Sequence, residues 1–285
     1  MERSPSLKPN PSDITYICIS GTSTEETGPT KIPQPRYGEV IYVTKGKLLA
    51  WGGTAVLELL PSGAVMKTPI PNPYCRIEEQ DHRRNMRLEA QIYGMIGDHP
   101  RLPKVLDWDQ DTCCLTMEYL ENGNLKEHVL QNHQNITLQL RLRWSRQAAE
   151  ALIVLHSFNV IHCDLSPRNF LLDSHLNVKI ADFGGASLCG SDPSATPATR
   201  FRHPGYDWNV PPVFSDDIFS IGSLIYFIMT GSYPYADVPS DEVEKLYESQ
   251  QFPDVSDIVG GNIIMRCWLQ QVDSARVIHD CLSAI

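Results

Sequence analysis

The sequence predicts an α+β chain with a small β-rich N-terminal part and a larger α-helical C-terminal part. In residues 38–67, short apolar runs alternate with turn residues, which is typical of consecutive strands. Apolar residues then recur at helical spacing in residues 78–96 and again in residues 137–158. A further apolar run, residues 223–230, ends at a glycine. A chain of 285 residues is long enough to build both parts.

The β-rich part is expected to contain four strands. They are predicted at Val40 to Val43, Leu48 to Trp51, Val56 to Leu60 and Ala64 to Lys67. Two more are expected around residues 105–108 and 113–120. Ahead of them, residues 1–36 are rich in Pro, Ser, Thr and Glu, which favours a loose arm. Within this arm the patch Ile14 to Ile19 is too short to decide whether it adds a strand to the body.

Composition limits the classes of partner. The net charge of -10 argues against a nucleic-acid surface, which needs a basic stripe, but it permits basic peptide substrates. No apolar run approaches the length of a membrane span, and the N-terminus lacks a secretory pattern. We therefore expect an intracellular protein, cytoplasmic or nuclear. The eight cysteines form no C-x-x-C sets, which favours reduced thiols over disulfides or a zinc site.

The stretch from Val160 to Leu172 carries the first chemical signal. A polar loop lies between two short apolar runs, so its side chains are expected at a cleft. Asp164 and Asn169, five residues apart, suit phosphoryl transfer, because a carboxylate can accept a hydroxyl proton while an amide oxygen holds a metal. By itself, however, the loop favours a simpler interpretation, a buried histidine and a capped turn, over a catalytic one.

A second signal is Asp182-Phe183-Gly184, which follows the apolar run Val178 to Ala181. Asp182 at the end of a short strand can bind a metal beside Asn169, while Gly184 allows a sharp turn and Phe183 can pack beneath. The two loops resemble the protein kinase family, whose catalytic loop is H-R-D-L-x-x-x-N and whose metal loop is D-F-G. The match is also similar to small, divergent fungal kinases.

This resemblance implies a two-lobed protein-kinase-like fold. The β-rich N-lobe, with the start of the hinge, would be residues 37–120, and the α-helical C-lobe residues 121–285. It also implies ATP and Mg²⁺ as cofactors, a protein substrate, and transfer of the ATP γ-phosphate to its hydroxyl. Asp164 would be the proton acceptor, with Asn169 and Asp182 as the metal ligands.

Further site residues follow from the same resemblance. Lys67 ends a predicted strand, where a lysine is usually a solvated edge residue, but the family pairs this lysine with a helix glutamate, here Glu89. The predicted nucleotide contacts are Lys67, Val56, Val65, Glu118, Leu120, Asn124, Leu171 and Asp182. Glu118 and Leu120 would act through their backbone groups in the hinge.

The run Asp216 to Gly222 resembles the family's D-x-W-S-x-G. In the family the aspartate accepts backbone hydrogen bonds from the catalytic loop, whereas Asp216 or Asp217 could also simply cap a helix. Both interpretations can hold together. Cys267-Trp268 resembles a late C-W pair of the family.

Several positions depart from the family pattern. Leu49, Trp51 and Thr54 stand where the phosphate loop has three glycines, so the roof over the nucleotide is expected to be bulkier. His203-Pro204-Gly205 replaces A-P-E, and the usual arginine partner falls at Ala275, one residue before Arg276. Residues 185–204, between the metal loop and this motif, have the composition of a loop.

Two departures lie in the catalytic loop. Cys163 replaces the arginine that receives an activation-loop phosphate, so phosphomimetic changes at Thr196 or Thr199 are expected to leave activity nearly unchanged. Ser166 replaces a lysine of serine/threonine kinases, and Arg168 is predicted to supply the missing charge.

Three functions compete. The first is a protein kinase, with serine or threonine favoured over tyrosine because of Pro167 and the overall loop. The second is a pseudokinase scaffold, supported by the altered roof and by Cys163. The third is a small-molecule phosphotransferase, which shares H-x-D-x-x-x-x-N and a later aspartate, but the complete Asp182-Phe183-Gly184 favours a protein substrate.

Overall fold

The computed structural model describes residues 14–21 and 33–285. The chain divides into two compact units. The first comprises residues up to Ala90 together with Val105–Tyr119, and the second comprises Gln91–Lys104 and Leu120–Ile285. Most of the predicted loose arm lies outside the described residues, and the lobe boundaries predicted after residues 36 and 120 stay predictions.

The first unit is built mainly from strands. They are β1 (Thr15–Ser20), β2 (Glu39–Thr44), β3 (Lys47–Trp51), β4 (Ala55–Leu59), β5 (Val65–Pro69), β6 (Val105–Asp109) and β7 (Cys114–Met117). Five of them form an antiparallel sheet in the order β3-β4-β5-β7-β6. The four strands predicted in residues 38–67 are confirmed, each within a residue or two of its predicted ends.

The patch Ile14 to Ile19, for which the sequence did not decide whether a strand forms, contributes most of β1. It pairs in parallel with β2, from Thr15 opposite Glu39 to Ser20 opposite Thr44. The ring of Tyr16 packs against Trp51 with 5.0 Å between centroids, and its hydroxyl donates to the Pro71 carbonyl at 3.0 Å. The ring contact ties β1 to the end of β3, and the hydrogen bond ties it to the segment that follows β5.

Glu58 on β4 is a buried charge that the sequence did not single out. Its carboxylate accepts hydrogen bonds from the Tyr42 hydroxyl at 2.9 Å and from the Lys45 backbone N–H at 2.7 Å. Burial, and then the bond to Glu58, raise the pKa of Tyr42 far above its ordinary value. The carboxylate therefore fixes the turn between β2 and β3, because a buried charge is stable only when it is hydrogen-bonded.

Helix α1 (Arg76–Ile96) confirms the helical pattern predicted for residues 78–96. Its N-terminus is held by Asn72, whose Oδ1 accepts the Cys75 N–H at 2.9 Å. Glu78 and Glu79 occupy the first turn, where acidic residues favour the helix dipole, as the sequence predicts.

The second unit is mainly helical. Its helices are α2 (Leu125–Asn132), α3 (Leu138–Ser157), α4 (Phe214–Thr230), α5 (Ser240–Glu248), α6 (Gly261–Trp268) and α7 (Ala275–Ser283). Four short strands accompany them: β8 (Val160–Ile161), β9 (Phe170–Leu172), β10 (Val178–Ile180) and β11 (Ser187–Leu188). Trp144 on α3 and Trp268 on α6 are almost wholly buried, and their indole N–H groups donate to the Leu176 carbonyl and the Ser223 hydroxyl.

Helix α4 begins at Phe214, ahead of the cap predicted at Asp216 or Asp217. Asp216 still caps the N-terminus of α4. Its carboxylate, which lies in the first turn, accepts a hydrogen bond from the Val213 backbone N–H at 2.9 Å. The helix ends at Gly231, whose φ of +76° lies in the left-handed region that favours glycine.

The expectation of a plain loop for residues 185–204 is partly wrong. Strand β11 pairs antiparallel with β8, and Thr199–Phe201 form a 3-10 turn. The Ser220 hydroxyl on α4 donates to the Phe201 carbonyl at 2.6 Å and so anchors this turn. Composition could not reveal these features, since their partners are distant in sequence.

In the described part of the chain, no helix is long and apolar enough to cross a membrane. The eight cysteines are unpaired, and four of them are buried. Across residues 14–21 and 33–285 there is no group of three or more His, Cys, Asp or Glu side chains that could hold a metal ion. The absence of disulfides among these cysteines agrees with the predicted reduced thiols.

Candidate active site

The β9–β10 hairpin brings together the two predicted metal ligands. Phe170 on β9 lies opposite Ile180 on β10, and the Ala181 N–H donates to the Asn169 carbonyl at 2.9 Å. Asn169 precedes β9 and Asp182 follows Ala181, so both residues lie at the same end of the hairpin.

The side chain of Asn169 is oriented by Asp164. Its Nδ2 donates to the Asp164 backbone carbonyl at 2.7 Å and to Asp164 Oδ2 at 3.1 Å. The amide oxygen therefore lies on the opposite side of the carboxamide group. An amide oxygen together with the Asp182 carboxylate is a hard oxygen donor set of the kind Mg²⁺ prefers, so these residues fit the metal that the sequence predicts.

The environment of Asp164 suits a proton acceptor. Burial raises the pKa of Asp164, and the like charge of Asp182 raises it further. The electrostatic interaction with His162, the hydrogen bond from Asn169 and the charge of Arg168 oppose this rise in pKa without cancelling it. A carboxylate with a raised pKa accepts a proton more readily.

His162 connects the two loops. Its Nδ1 accepts the Asp164 N–H at 3.2 Å, so the ring carries its proton on Nε2, which donates to the Ala181 carbonyl at 3.1 Å. Phe183 packs beneath, with 5.7 Å between its ring centroid and that of His162 and 4.9 Å to that of Tyr93. This imidazole fixes the spacing of the catalytic and metal loops.

Asp217 on α4 holds the start of the catalytic loop. Its fully buried carboxylate accepts the backbone N–H groups of His162 at 2.8 Å and Cys163 at 3.2 Å. Cys163 has a φ of +64°, in a region that non-glycine residues rarely occupy. The two aspartates therefore divide the alternatives drawn from the sequence: Asp216 caps the helix and Asp217 supports the loop.

Lys67 and Glu89 form an ion pair within the first unit. Lys67 Nζ lies 2.6 Å from Glu89 Oε2, and the side chains are 8% and 1% exposed. Lys67 is on β5 and Glu89 is on the inner face of α1. The lysine is thus a buried ion-pair partner and not a solvated edge residue.

The remaining predicted nucleotide contacts lie in both units. In the first unit, Val56 and Val65 are buried on β4 and β5, and Glu118 follows β7. In the second unit, Leu120 is buried at the start of the segment Leu120–Ile285. Leu171 is half-buried on β9 and bridges by backbone to Asn124. The Asn124 side-chain oxygen accepts the Glu127 N–H at 2.9 Å and caps α2, so a ribose contact would fall to its amide nitrogen.

A cleft of about 590 Å³ lies beside Asp164 in the second unit. Ser166, Arg168, Lys126 and Tyr233 are among its lining residues. Sequence analysis missed Lys126 and Tyr233. The position of Lys126 was a weak indication of function, because the helix dipole disfavours a cation in the first turn of a helix.

The sequence model of the family described as "Protein tyrosine and serine/threonine kinase" matches residues 74–284, well over half of the chain. The chain belongs to the protein kinase family. Its fold is accordingly the two-lobed α+β fold that the sequence predicts, with the five-stranded sheet in one unit and most helices in the other.

Curated kinases of both acceptor classes are similar to this chain. The receptor tyrosine-protein kinase erbB-4 of Homo sapiens is 29% identical over 235 residues, which are 75% of this chain and 17% of that protein. The serine/threonine-protein kinase kin-29 of Caenorhabditis elegans is 28% identical over 198 residues, 65% of this chain and 23% of that protein. The chain thus spans less than a quarter of the length of these relatives.

The departures from the kinase pattern have local explanations. The Cys163 thiol is buried, and burial raises its pKa far above the ordinary value, so it offers no charge for an activation-loop phosphate. Where A-P-E would stand, His203 packs against Phe219, and burial lowers its pKa. Ala275 is buried and Arg276 is exposed, so neither restores the arginine of the missing salt bridge.

Proposed function

We propose that this chain is a protein kinase that transfers the ATP γ-phosphate to a protein hydroxyl with Mg²⁺ as cofactor. The observation that carries the proposal is the hydrogen-bonded set formed by Asp164, Asn169 and Ala181, which presents Asp182 beside it. Such an arrangement offers a proton acceptor next to a pair of hard metal ligands, which is what phosphoryl transfer requires.

Each residue has a distinct part in the proposed reaction. Asp164 accepts the proton of the substrate hydroxyl as its oxygen bonds to the γ-phosphorus and the bond to the ADP oxygen breaks. Asn169 and Asp182 would hold Mg²⁺, which, when bound, neutralises phosphate charge. Lys67, which is paired with Glu89, would hold its ammonium group against the α- and β-phosphates of the nucleotide.

We favour serine or threonine as the acceptor, with Arg168 steadying the transferred phosphate in place of the lysine that Ser166 replaces. This choice rests on the catalytic loop from His162 to Asn169 and on Pro167 within it. The similar proteins include both acceptor classes and so leave the preference as a proposal. An intracellular location and the absence of a nucleic-acid partner also stay predictions.

The direct test follows transfer of labelled γ-phosphate from Mg-ATP to a generic protein and to small alcohols. The wild-type chain is expected to label protein serine or threonine, and Asp164→Asn to reduce the rate by about 10²–10⁴-fold, the usual contribution of a general base. Labelling of the alcohols alone would instead select a small-molecule phosphotransferase.

A scaffold without transfer is the second candidate, and the contacts of Trp51 favour it. This residue, standing at a glycine position of the phosphate loop, is packed between Tyr16 and Tyr42 and leaves a bulkier hairpin than glycine would. Under that alternative, ATP would raise the melting temperature in a Mg²⁺-dependent manner while no acceptor became labelled.

A further inference from the structure

The cleft beside Asp164 has a charge opposite to that of the whole chain. Four cationic residues, Lys126, Arg168, Arg200 and Arg202, line it together with a single carboxylate, Asp164. The chain as a whole has 34 acidic and 24 basic residues. The local excess of cations is therefore a feature of this surface and not of the composition.

Two of the four cations already have partners within the protein. Arg200 donates to the Tyr235 and Val238 carbonyls, and Arg202 pairs with Glu244. The side chains of Lys126 and Arg168 have no hydrogen bond or ion pair with any residue that the structure describes. Arg168 is exposed and Lys126 half-buried, so both can meet a ligand in the cleft.

The positions of these two cations are fixed by the backbone. The Lys126 N–H donates to the Pro167 carbonyl at 3.0 Å, which holds the first turn of α2 beside Arg168. The charge of Arg168 lowers the pKa of both Asp164 and Tyr233, in opposition to the larger effect of burial on each. Helix stability does not account for Lys126, because the dipole disfavours a cation in a first turn.

Ser166 supplies an independent observation in the same cleft. The residue is 5% exposed, and its hydroxyl has no hydrogen-bond partner among the described residues. A buried hydroxyl without a partner carries a free-energy cost, and a ligand oxygen entering the cleft would remove it. An anionic group with several acceptor oxygens suits both this hydroxyl and the neighbouring cations.

We propose that the cleft recognises a protein segment that carries an anionic side chain, a carboxylate or a phosphate, close to the acceptor hydroxyl. This inference rests on the proposed kinase function, since it names the substrate class of the same site. Lys126 is the specificity-determining residue that we single out. Arg168 also faces the group being transferred, whereas Lys126 has no part in the proposed transfer.

The test compares peptides that differ only next to the acceptor serine, which is flanked by Glu, phosphoserine, Gln or Lys. With Mg-ATP, kcat/KM is expected to be about fivefold higher for the Glu and phosphoserine peptides than for the Gln peptide, and lowest for the Lys peptide. The Glu and phosphoserine arms distinguish a carboxylate from a phosphate as the preferred group. Lys126→Glu should abolish or invert the ratio, and Lys126→Arg should retain it.

Two further measurements separate this inference from the proposed function. Arg276→Glu, which makes the same charge change on α7 away from the cleft lining, should leave the ratio unchanged. Binding of the same peptides with Ala at the acceptor, followed by fluorescence anisotropy, needs no transfer. Tighter binding of the anionic peptides by a chain without transferase activity would support the cleft and refute the kinase proposal. Equal kcat/KM values for Glu, Gln and Lys peptides in an active chain would overturn the inference alone.

Discussion

Lys67 and Glu89 are both buried, so neither charge is solvated if its partner is removed. Breaking such a pair leaves an uncompensated charge in a region of low dielectric constant, whereas replacing both groups by apolar side chains removes the problem. Replacing both Lys67 and Glu89 should therefore restore stability that is lost when one of them is replaced, but it should not restore nucleotide binding.

Lys67→Met is expected to lower the free energy of unfolding by about 3 kcal/mol, because the buried Glu89 carboxylate loses its lysine partner. Adding Glu89→Leu should recover most of that loss, while ATP affinity stays low in both variants. Denaturant unfolding and ATP titration measure the two quantities. Lys245→Met, in an exposed pair with Asp241, is the matched control and should cost less than about 1 kcal/mol. A double variant no more stable than Lys67→Met would contradict this account.

Asp164 should make the folded chain less stable at neutral pH than an uncharged residue would. Its pKa is raised in the folded state, chiefly by burial, so its ionisation opposes folding. Asp164→Asn is therefore expected to have a higher melting temperature at neutral pH. The difference should vanish at acidic pH, below the ordinary carboxyl pKa of 3.8, where the side chain is uncharged in both proteins, and should grow as the pH rises from there to above the raised pKa.

Thermal unfolding of the wild-type chain and of Asp164→Asn across this pH range measures the difference in melting temperature. Asp192→Asn, at an exposed carboxylate, controls for the change in net charge. A melting temperature of Asp164→Asn that fell below the wild-type value as the pH rose would show that the carboxylate is stabilised by its surroundings and would refute the account.

At the residue scale, the local motifs of residues 160–172 and 182–184 identified Asp164, Asn169 and Asp182 as candidates, and the resemblance to protein kinases added Lys67 and Glu89. Neither identified Glu58 or Lys126. The donors to Glu58 come from a neighbouring strand and turn, and the surroundings of Lys126 come from loops far along the chain. Contacts that depend on tertiary structure leave little trace in a local pattern.

Strand β1 holds the N-terminal segment against the rest of the first unit. It adds a parallel partner to β2 and places Tyr16 against Trp51, which itself meets Tyr42 with 5.3 Å between ring centroids. Trp51, which the resemblance predicts at a glycine position of the phosphate loop, is thus anchored by the N-terminal strand.

Removing one ring should weaken this element. Tyr16→Ala is expected to lower the free energy of unfolding by about 1–2 kcal/mol, through loss of the ring contact and of the bond to the Pro71 carbonyl. Tyr37→Ala, at a ring that is 64% exposed, is the control and should change stability much less. Denaturant unfolding measures both, and equal effects would show that the cluster does not anchor β1.

At the element scale, strands and long helices were predictable because their apolar periodicity extends over several residues. The start of α4 was predicted less accurately, because Asp216 or Asp217 was expected to cap the helix, whereas the helix begins at Phe214. The resemblance implied an aspartate that accepts backbone N–H groups from the catalytic loop, and the tertiary structure decides that this residue is the buried Asp217. Strand β11 escaped prediction for a similar reason, since it has two residues and a distant partner.

For the whole molecule, composition was a poor guide to the surface that matters. The net charge of -10 permits basic peptide substrates, yet four of the five charged residues that line the cleft beside Asp164 are cations. Family membership and the two-lobed α+β fold, by contrast, could be inferred from two short motifs and the order of strands and helices. The motifs are continuous in sequence and can be recognised directly, whereas the charge of the cleft comes from residues that are far apart in the chain.

The central claim is that Asn169 and Asp182 together hold a divalent metal against a bound nucleotide. Calorimetric titration of ATP with and without Mg²⁺ tests it most directly, using the wild-type chain, Asp182→Asn and the exposed-site control Asp192→Asn. Wild type and control should bind ATP about tenfold more tightly with Mg²⁺, a difference of about 1.4 kcal/mol, and Asp182→Asn should show no such dependence. An Asp182→Asn variant that kept the full Mg²⁺ dependence would contradict the account.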